Sequence, residues 1–142
     1  MRHIDHSFAG PTRNLAYDEL LLDRAERGGG ECLRFWESPV TFVVLGVGQA
    51  WRDEVRADEC HADGVPIHRR CSAGGCVLQG PGCLNYSLVL DQTARPEVAS
   101  IRDSYGWILG ALARAFQARG QAMACAGTSD LAASNLAEHN RL

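Results

Sequence analysis

Apolar residues recur at helical spacing in two long stretches of the chain and at strand-like spacing in several shorter ones. From Val98 to Arg119 the residues Ile101, Tyr105, Ile108, Leu109, Leu112 and Phe116 fall at spacings of 4, 3, 1, 3 and 4, one face of an amphipathic helix that Gly120 closes. A second helix is predicted from Asn14, a capping residue type, to about Arg27, with Leu15, Leu21 and Leu22 as buried candidates and Gly28-Gly29-Gly30 as its stop. A more polar helix spans Asp53 to Ala62 and ends at Asp63-Gly64.

Between these lie runs of β-branched and aromatic residues. Cys32 to Trp36 and Val40 to Leu45 flank Glu37-Ser38-Pro39 and read as a hairpin. Val65 to Arg70 is strand-like and leads into Ala73-Gly74-Gly75. Cys76 to Leu78 and Leu84 to Leu90 read as strands joined by the turn Gly80-Pro81-Gly82, and Met123 to Ala126 as one more strand. No repeat, low-complexity run or linker interrupts the chain, so residues 1–142 are expected to form one domain. Strands follow one another without intervening helices, which favours a segregated α+β fold over a doubly wound sheet.

Composition narrows the function classes. With 142 residues and 46% hydrophobic content, the chain is long enough for one core without a metal or disulfide. Its longest apolar stretch, Val40 to Val47, is about eight residues against the ~20 that span a bilayer. The start, Met1-Arg2-His3-Ile4-Asp5-His6, lacks the apolar segment of a signal peptide, so a cytoplasmic location with reduced thiols is expected for Cys32, Cys60, Cys71, Cys76, Cys83 and Cys125. A net charge of −3 argues against nucleic-acid binding. All 14 basic residues are arginine, so no mechanism that needs a lysine side chain can run on these residues alone.

The chemically suggestive segment is Arg69-Arg70-Cys71-Ser72-Ala73-Gly74-Gly75-Cys76-Val77-Leu78. It presents two guanidiniums and then a loop with almost no side-chain bulk. Small residues let backbone N–H groups approach an anion, and arginine can fork onto phosphate oxygens. Gly-Gly pairs also serve plain tight turns, and neither GxxxxGK[ST] nor GxGxxG is present.

Five segments in order widen the picture: Asn14-Leu15-Ala16-Tyr17-Asp18-Glu19, Leu33-Arg34-Phe35-Trp36-Glu37-Ser38-Pro39, Val44-Leu45-Gly46-Val47-Gly48-Gln49, Arg69 to Gly75, and Gly82-Cys83-Leu84-Asn85-Tyr86-Ser87. Together they resemble the lipoate-protein ligase A family over about Asn14 to Leu131. The resemblance implies an α+β catalytic domain of the class II synthetase and biotin-ligase type, with a mixed, largely antiparallel sheet, packed helices and an incomplete C-terminus. It implies ATP-dependent activation of lipoate to lipoyl-adenylate, with Mg²⁺ accompanying the ATP. The acyl group then passes to a lysine of a lipoyl carrier domain or a glycine-cleavage H-type protein. Carried over by residue, Arg70 is the phosphate or carboxylate fork, and Gly74, Gly75, Cys76, Val77 and Leu78 line the adenylate. Asn85 and Asp130 fall in matching motifs. Ser72 either donates to the ligand or holds the loop. Adenylation fixes two anions in line and neutralises charge, which calls for cations and amide donors rather than a protein nucleophile.

The sequence departs from the family pattern. Ala73 replaces a glycine, Leu78 an aromatic and Gln79 a histidine. The family lysine that follows the Asp-Leu motif is missing, and Arg141 is the nearest cation. No catalytic residue is therefore assigned. A truncated ligase and a degenerate relative fit this pattern equally.

Two other readings stay open beside the ligase: an octanoyl or lipoyl transferase acting through a cysteine, for which Cys71 beside two arginines is the best candidate among Cys71, Cys76, Cys83 and Cys125, and a non-catalytic, truncated binder of the lipoyl-adenylate or carrier domain. A zinc site built from Cys71, Cys76 and Cys83 with His61 or His68 has the wrong ligand spacing, and no metal site is assigned. Absence of the closing strands predicts exposed apolar edges and marginal stability. Thermal unfolding of the isolated chain should be broad and accompanied by aggregation; a sharp two-state melt without aggregation would overturn that expectation.

Overall fold

Strand alternation and helix periodicity meet on one buried stripe. In β2 (Cys32–Trp36) every second residue, Cys32, Arg34 and Trp36, is buried. In α1 (Pro11–Arg24) the residues Asn14, Asp18 and Leu21 share the face that meets it. The computed structural model describes residues 1–126 and 130–133, and internal contacts divide the chain into two units, Met1–Leu90 and Asp91–Leu142.

The first unit holds two three-stranded sheets. β1 (Arg2–Asp5) runs parallel to β2, whose other edge pairs antiparallel with β6 (Asn85–Val89). β3 (Phe42–Leu45) is central in the other sheet, parallel to β4 (Ile67–Arg69) and antiparallel to β5 (Val77–Gln79). The fold is thus α+β with mixed sheets, two parallel and two antiparallel pairings in this unit, and the pairing in the second unit makes antiparallel the majority, as expected. Ile4, Leu21 and Cys32 form one apolar cluster with Tyr17 and Val89 against it; Trp36, Phe42 and Val44 form another with Leu15. Leu21 and Leu15 both come from α1, which therefore seals both clusters.

The two expected hairpins do not form. β2 and β3 lie in different sheets, as do β5 and β6. An apolar run marks a strand but does not name its partner, and β2 already has both edges occupied. The segments 37–41 and 80–84 are crossings between the sheets. Ser38 closes the first on itself, its hydroxyl donating to the Val40 carbonyl at 2.7 Å. Glu37 ties the two crossings together by accepting from the Gly82 N–H at 2.5 Å.

Helix boundaries also moved. Asn14 does not cap α1: the helix starts at Pro11, where a missing N–H costs nothing, and Asn14 sits inside it, fully buried. Leu22 is exposed. After Arg24 a π-type turn, Ala25–Gly29, unwinds at Gly28, whose φ of 84° suits glycine. The predicted 53–62 helix is two short ones, α2 (Trp51–Glu54) and α3 (Ala57–Ala62), parted by extended Val55.

The second unit contains α4 (Ile101–Gln117), capped by Ser100, whose hydroxyl accepts from the Asp103 N–H at 3.1 Å. β7 (Met123–Ala126) pairs antiparallel with β8 (Asp130–Ala133). Of the predicted apolar face of α4 only Leu109 is buried, whereas Ile101 is 79% exposed and Tyr105 and Phe116 are exposed as well. No helix among the described residues is long and apolar enough to cross a membrane.

One side chain organises the first unit. Arg34 has no exposed surface, and its guanidinium donates to the His6 carbonyl from Nε (3.2 Å) and Nη2 (3.0 Å). It also donates to the Asn14 carbonyl (2.8 Å), to Asn14 Oδ1 (2.7 Å) and to Asp18 Oδ1 (2.6 Å). The second Asp18 oxygen accepts from Trp36 Nε1 at 3.1 Å. Removing that carboxylate strands a buried charge and an indole donor. Asp18→Ala should lower unfolding free energy by about 3–5 kcal/mol, read from urea titration. Asp23→Ala, which breaks an exposed pair with Arg27, should change it by no more than about 0.5 kcal/mol. Equal effects for the two variants would refute a central role for the Arg34 centre.

Candidate functional site

The glycine segment bridges the two strands that flank β3. β4 ends at Arg69 and β5 begins at Val77, so residues 70–76 arch over the C-terminal end of β3, where Gly46 opens the turn Gly46–Gln49. Backbone bonds seat the arch at two points. The Arg70 N–H donates to the Leu45 carbonyl at 3.0 Å, and the Val47 N–H to the Ser72 carbonyl at 3.0 Å. Between them Gly46 lies so close beneath Gly74 that a Cβ there would collide with the Gly74 carbonyl.

Arg70 holds the arch from within. Its Nε donates to Ser72 Oγ at 3.1 Å, and its Nη2 to the carbonyls of Ala73 and Gly75, both at 2.9 Å. Gly74 takes φ 105°, where a Cβ would also come within 2.8 Å of Arg70 Nη2. In a trans peptide the carbonyl and the next residue's N–H point in opposite directions. Four successive carbonyls face protein groups: Ser72 meets Val47, Ala73 and Gly75 meet Arg70, and Gly74 abuts Gly46. The N–H groups of Ala73, Gly74, Gly75 and Cys76 consequently point away from those groups. Among the described residues they donate to no protein acceptor. Such an array suits an anion. The Ser72 hydroxyl accepts from Arg70 and keeps its own proton for a ligand, so the two roles considered for it are compatible. Arg70 Nη1 meets no acceptor among the described residues.

Arg70, Ser72, Gly74, Gly75 and Cys76 are thus brought together in one arch. Val77 and Leu78 continue from it, but strand alternation turns them to opposite faces: Val77 sits opposite Val44, and Leu78, 64% exposed, opposite Val43. Asn85 belongs to the other sheet, opposite Trp36, with its amide donating to the Cys83 carbonyl at 3.0 Å. Asp130 opens β8 in the second unit. Arg141 lies outside the described residues.

Four side chains that bear on the arch were not assigned to the site from sequence, although Arg69 was noted there as the first of two guanidiniums. Arg69 Nη1 donates to the carbonyls of Gly46 (2.6 Å) and Val47 (3.2 Å), and Gln49 Oε1 accepts from the Gly46 N–H (2.8 Å). The carboxylates of Glu19 and Asp18 reach the arch electrostatically. Cys71 is exposed, yet partial desolvation of its thiol pushes it above its ordinary pKa, followed by Glu19 and, more weakly, Asp18, with Arg70 opposing. This corrects the expectation that two neighbouring arginines activate Cys71: Arg69 faces the Gly46 turn and Arg70 the arch carbonyls. Among the described residues no three His, Cys, Asp or Glu side chains gather as metal ligands, so Cys71, Cys76 and Cys83 do not converge with His61 or His68.

Comparison with known proteins decides the family, for the lipoyl protein ligase A/B catalytic domain matches residues 10–136. The chain belongs to that family. The lipoyl ligase relatives include the octanoyltransferase LipM of Carboxydothermus hydrogenoformans, 40% identical over 90 residues, which cover 62% of this chain and 33% of that protein. Among solved structures, the bi-partite lipoate protein ligase of Thermoplasma acidophilum, studied with its E2 lipoyl domain, superposes with TM-score 0.79 at 25% identity, covering 94% of this chain and 51% of that one. A lipoate-protein ligase A bound with ATP gives TM-score 0.76 at 26% identity, over 91% and 51% of the two chains. The chain spans about a third of the length of the curated relatives it matches and about half of these solved chains.

The raised Cys71 thiol has a measurable consequence within this lipoyl ligase fold. A raised pKa means less thiolate at any pH below it, so iodoacetamide should label Cys71 more slowly at pH 8 than it labels free cysteine, and the rate should climb only at more alkaline pH. Glu19→Gln removes one raising charge and should speed labelling at pH 8, read by peptide mass. Labelling faster than free cysteine would restore the activated-thiol reading.

Proposed function

We propose that this chain carries the lipoate- and ATP-binding part of a lipoate-protein ligase. The observation that carries the reading is the arch of residues 70–76, whose four outward N–H groups and unengaged Arg70 Nη1 form a cationic, donor-rich lip. That is the chemistry an acyl-adenylate requires. The lipoate carboxylate attacks the α-phosphate of ATP, the bond to the β-phosphate breaks, and pyrophosphate leaves. The amine of a carrier lysine then attacks the acyl carbonyl and releases AMP. Amides of the arch would hold the phosphate, with Arg70 Nη1 and the Ser72 hydroxyl meeting phosphate or carboxylate oxygens.

Mg²⁺ would arrive on the nucleotide phosphates, which need few protein ligands, in keeping with the absence of a side-chain ligand cluster among the described residues. The carrier would be a lipoyl domain of the E2 type or an H-type protein, the location cytoplasmic, and residues 1–142 part of one catalytic domain. The chain contains no lysine, so the ammonium expected between carboxylate and phosphate is not among its side chains. Binding is accordingly the activity assigned to it.

The test is calorimetric titration of the chain with a non-hydrolysable sulfamoyl analogue of lipoyl-adenylate. The wild-type chain should bind, and Arg70→Ala, which releases the Ala73 and Gly75 carbonyls together with the fork, should bind about tenfold more weakly or worse. Unchanged affinity in Arg70→Ala would refute the assignment of the arch.

A further inference from the structure

The arch is set from two sides, and only one of them belongs to the glycine motif. Arg70 fixes the carbonyls of Ala73 and Gly75, and hence the directions of the Gly74 and Cys76 N–H groups. The other two carbonyls, of Ser72 and Gly74, meet the turn Gly46–Gln49: the first accepts from the Val47 N–H and the second packs on the Gly46 Cα. Those contacts govern the Ala73 and Gly75 N–H groups. The turn in turn is held by two side chains. Arg69 Nη1 grips the Gly46 and Val47 carbonyls from the end of β4, and Gln49 Oε1 takes the Gly46 N–H from within the turn.

We infer that Arg69 and Gln49 are positioning residues: by clamping the Gly46–Gln49 turn against the arch they aim the Ala73 and Gly75 amides at the ligand. Neither side chain needs to touch the ligand for this. The inference rests on the binding role proposed for the arch, and it also makes a claim about the ligand-free chain that stands apart from that role. A single nitrogen of Arg69 makes both contacts, so a lysine ammonium, also one nitrogen with several donors, can replace it in part. Methionine cannot.

The experiment compares amide ¹H–¹⁵N spectra and calorimetric affinity for the sulfamoyl lipoyl-adenylate analogue among the wild-type chain, Arg69→Met, Arg69→Lys and Gln49→Leu. Without ligand, Arg69→Met should shift the Ala73 and Gly75 amide signals more than those of Gly74 and Cys76. Its affinity should fall about tenfold, and Arg69→Lys should recover most of both effects. A general loss of stability would neither select those two amides nor be repaired by lysine. Should Arg69→Met not fold, Gln49→Leu loosens the same turn from its other side and should single out the same two amides. Unmoved Ala73 and Gly75 amides with wild-type affinity overturn the clamp while leaving the binding role intact. Selectively moved amides in a chain whose wild-type form does not bind the analogue uphold the clamp and overturn the binding role.

Discussion

Arg34 carries a full charge into the interior of the first unit, and each of its five N–H donors ends on a protein acceptor. A buried guanidinium without partners would cost several kcal/mol, so the fold is constrained to bring acceptors to it. They come from three places: the carbonyl after β1, the first half of α1, and the Asp18 carboxylate. Tyr17 and Trp36 lie over it at 4.9 and 5.2 Å, adding ring faces to a cation already desolvated. Asn14 supplies the closing link, since its amide also donates to the Phe8 carbonyl and its Oδ1 accepts the Phe8 N–H. The approach to α1 is thereby fixed by side-chain bonds where an ordinary N-cap is lacking. Because α1 also supplies Leu15 and Leu21 to the two apolar clusters, the charge centre and the apolar core share one scaffold.

That scaffold bears directly on the arch. Asp18 serves Arg34 and Trp36, yet its field, with that of Glu19, is felt at Cys71. The N-terminal helix therefore sets part of the electrostatic environment of a loop some fifty residues away in sequence. Carboxylates on that side oppose an accumulation of negative charge, while Arg70 and the outward amides favour it. An anion at the arch would be held by short-range donors against a background that is not uniformly positive, which favours a ligand presented in one orientation over loose attraction of any phosphate.

Element positions were largely legible from sequence, and their partners were not. Strands at 32–36, 42–45, 85–89 and 123–126 and the long helix after Ser100 follow from local pattern. Arg34 ties β2 to the segment after β1 through the His6 carbonyl, and the crossings at 37–41 and 80–84 carry the chain between the sheets; none of these leaves a periodic trace. Asn14 illustrates the difficulty: its residue type suggests a helix cap, but a neighbour twenty positions away recruits it into the interior. At the candidate site, Arg70, Ser72 and the glycines were legible because motif and small side chains coincide there. The roles of Arg69 and Gln49 were not, because each acts on backbone groups: Arg69 reaches another segment, a contact that appears only once β3 and β4 are side by side, and Gln49 folds back on its own turn, which leaves no pattern in the sequence.

Adjacent arginines at the end of β4 illustrate how a strand divides labour. Successive residues of a strand point to opposite sides, and the chain leaves β4 between them. Arg69 shares its face with Leu45 and reaches the turn that follows β3, whereas Arg70 curls into the arch that follows β4. The Arg-Arg pair is therefore not a doubled phosphate fork. One guanidinium holds the support and the other holds the arch, and between them they meet five backbone and side-chain oxygens; among the described residues Arg70 Nη1 and Arg69 Nε and Nη2 meet no acceptor. Within the arch itself the donors left for a ligand are the backbone amides of residues 73–76, Arg70 Nη1 and the Ser72 hydroxyl. On that account the substitution of alanine for a family glycine at position 73 is tolerable: Ala73 needs no positive φ, and its N–H is as available as glycine's. Gly46 and Gly74 have no such latitude: a Cβ at Gly46 would push the turn away from the arch, and at Gly74 the positive φ disfavours a side chain whose Cβ would also crowd the Arg70 guanidinium.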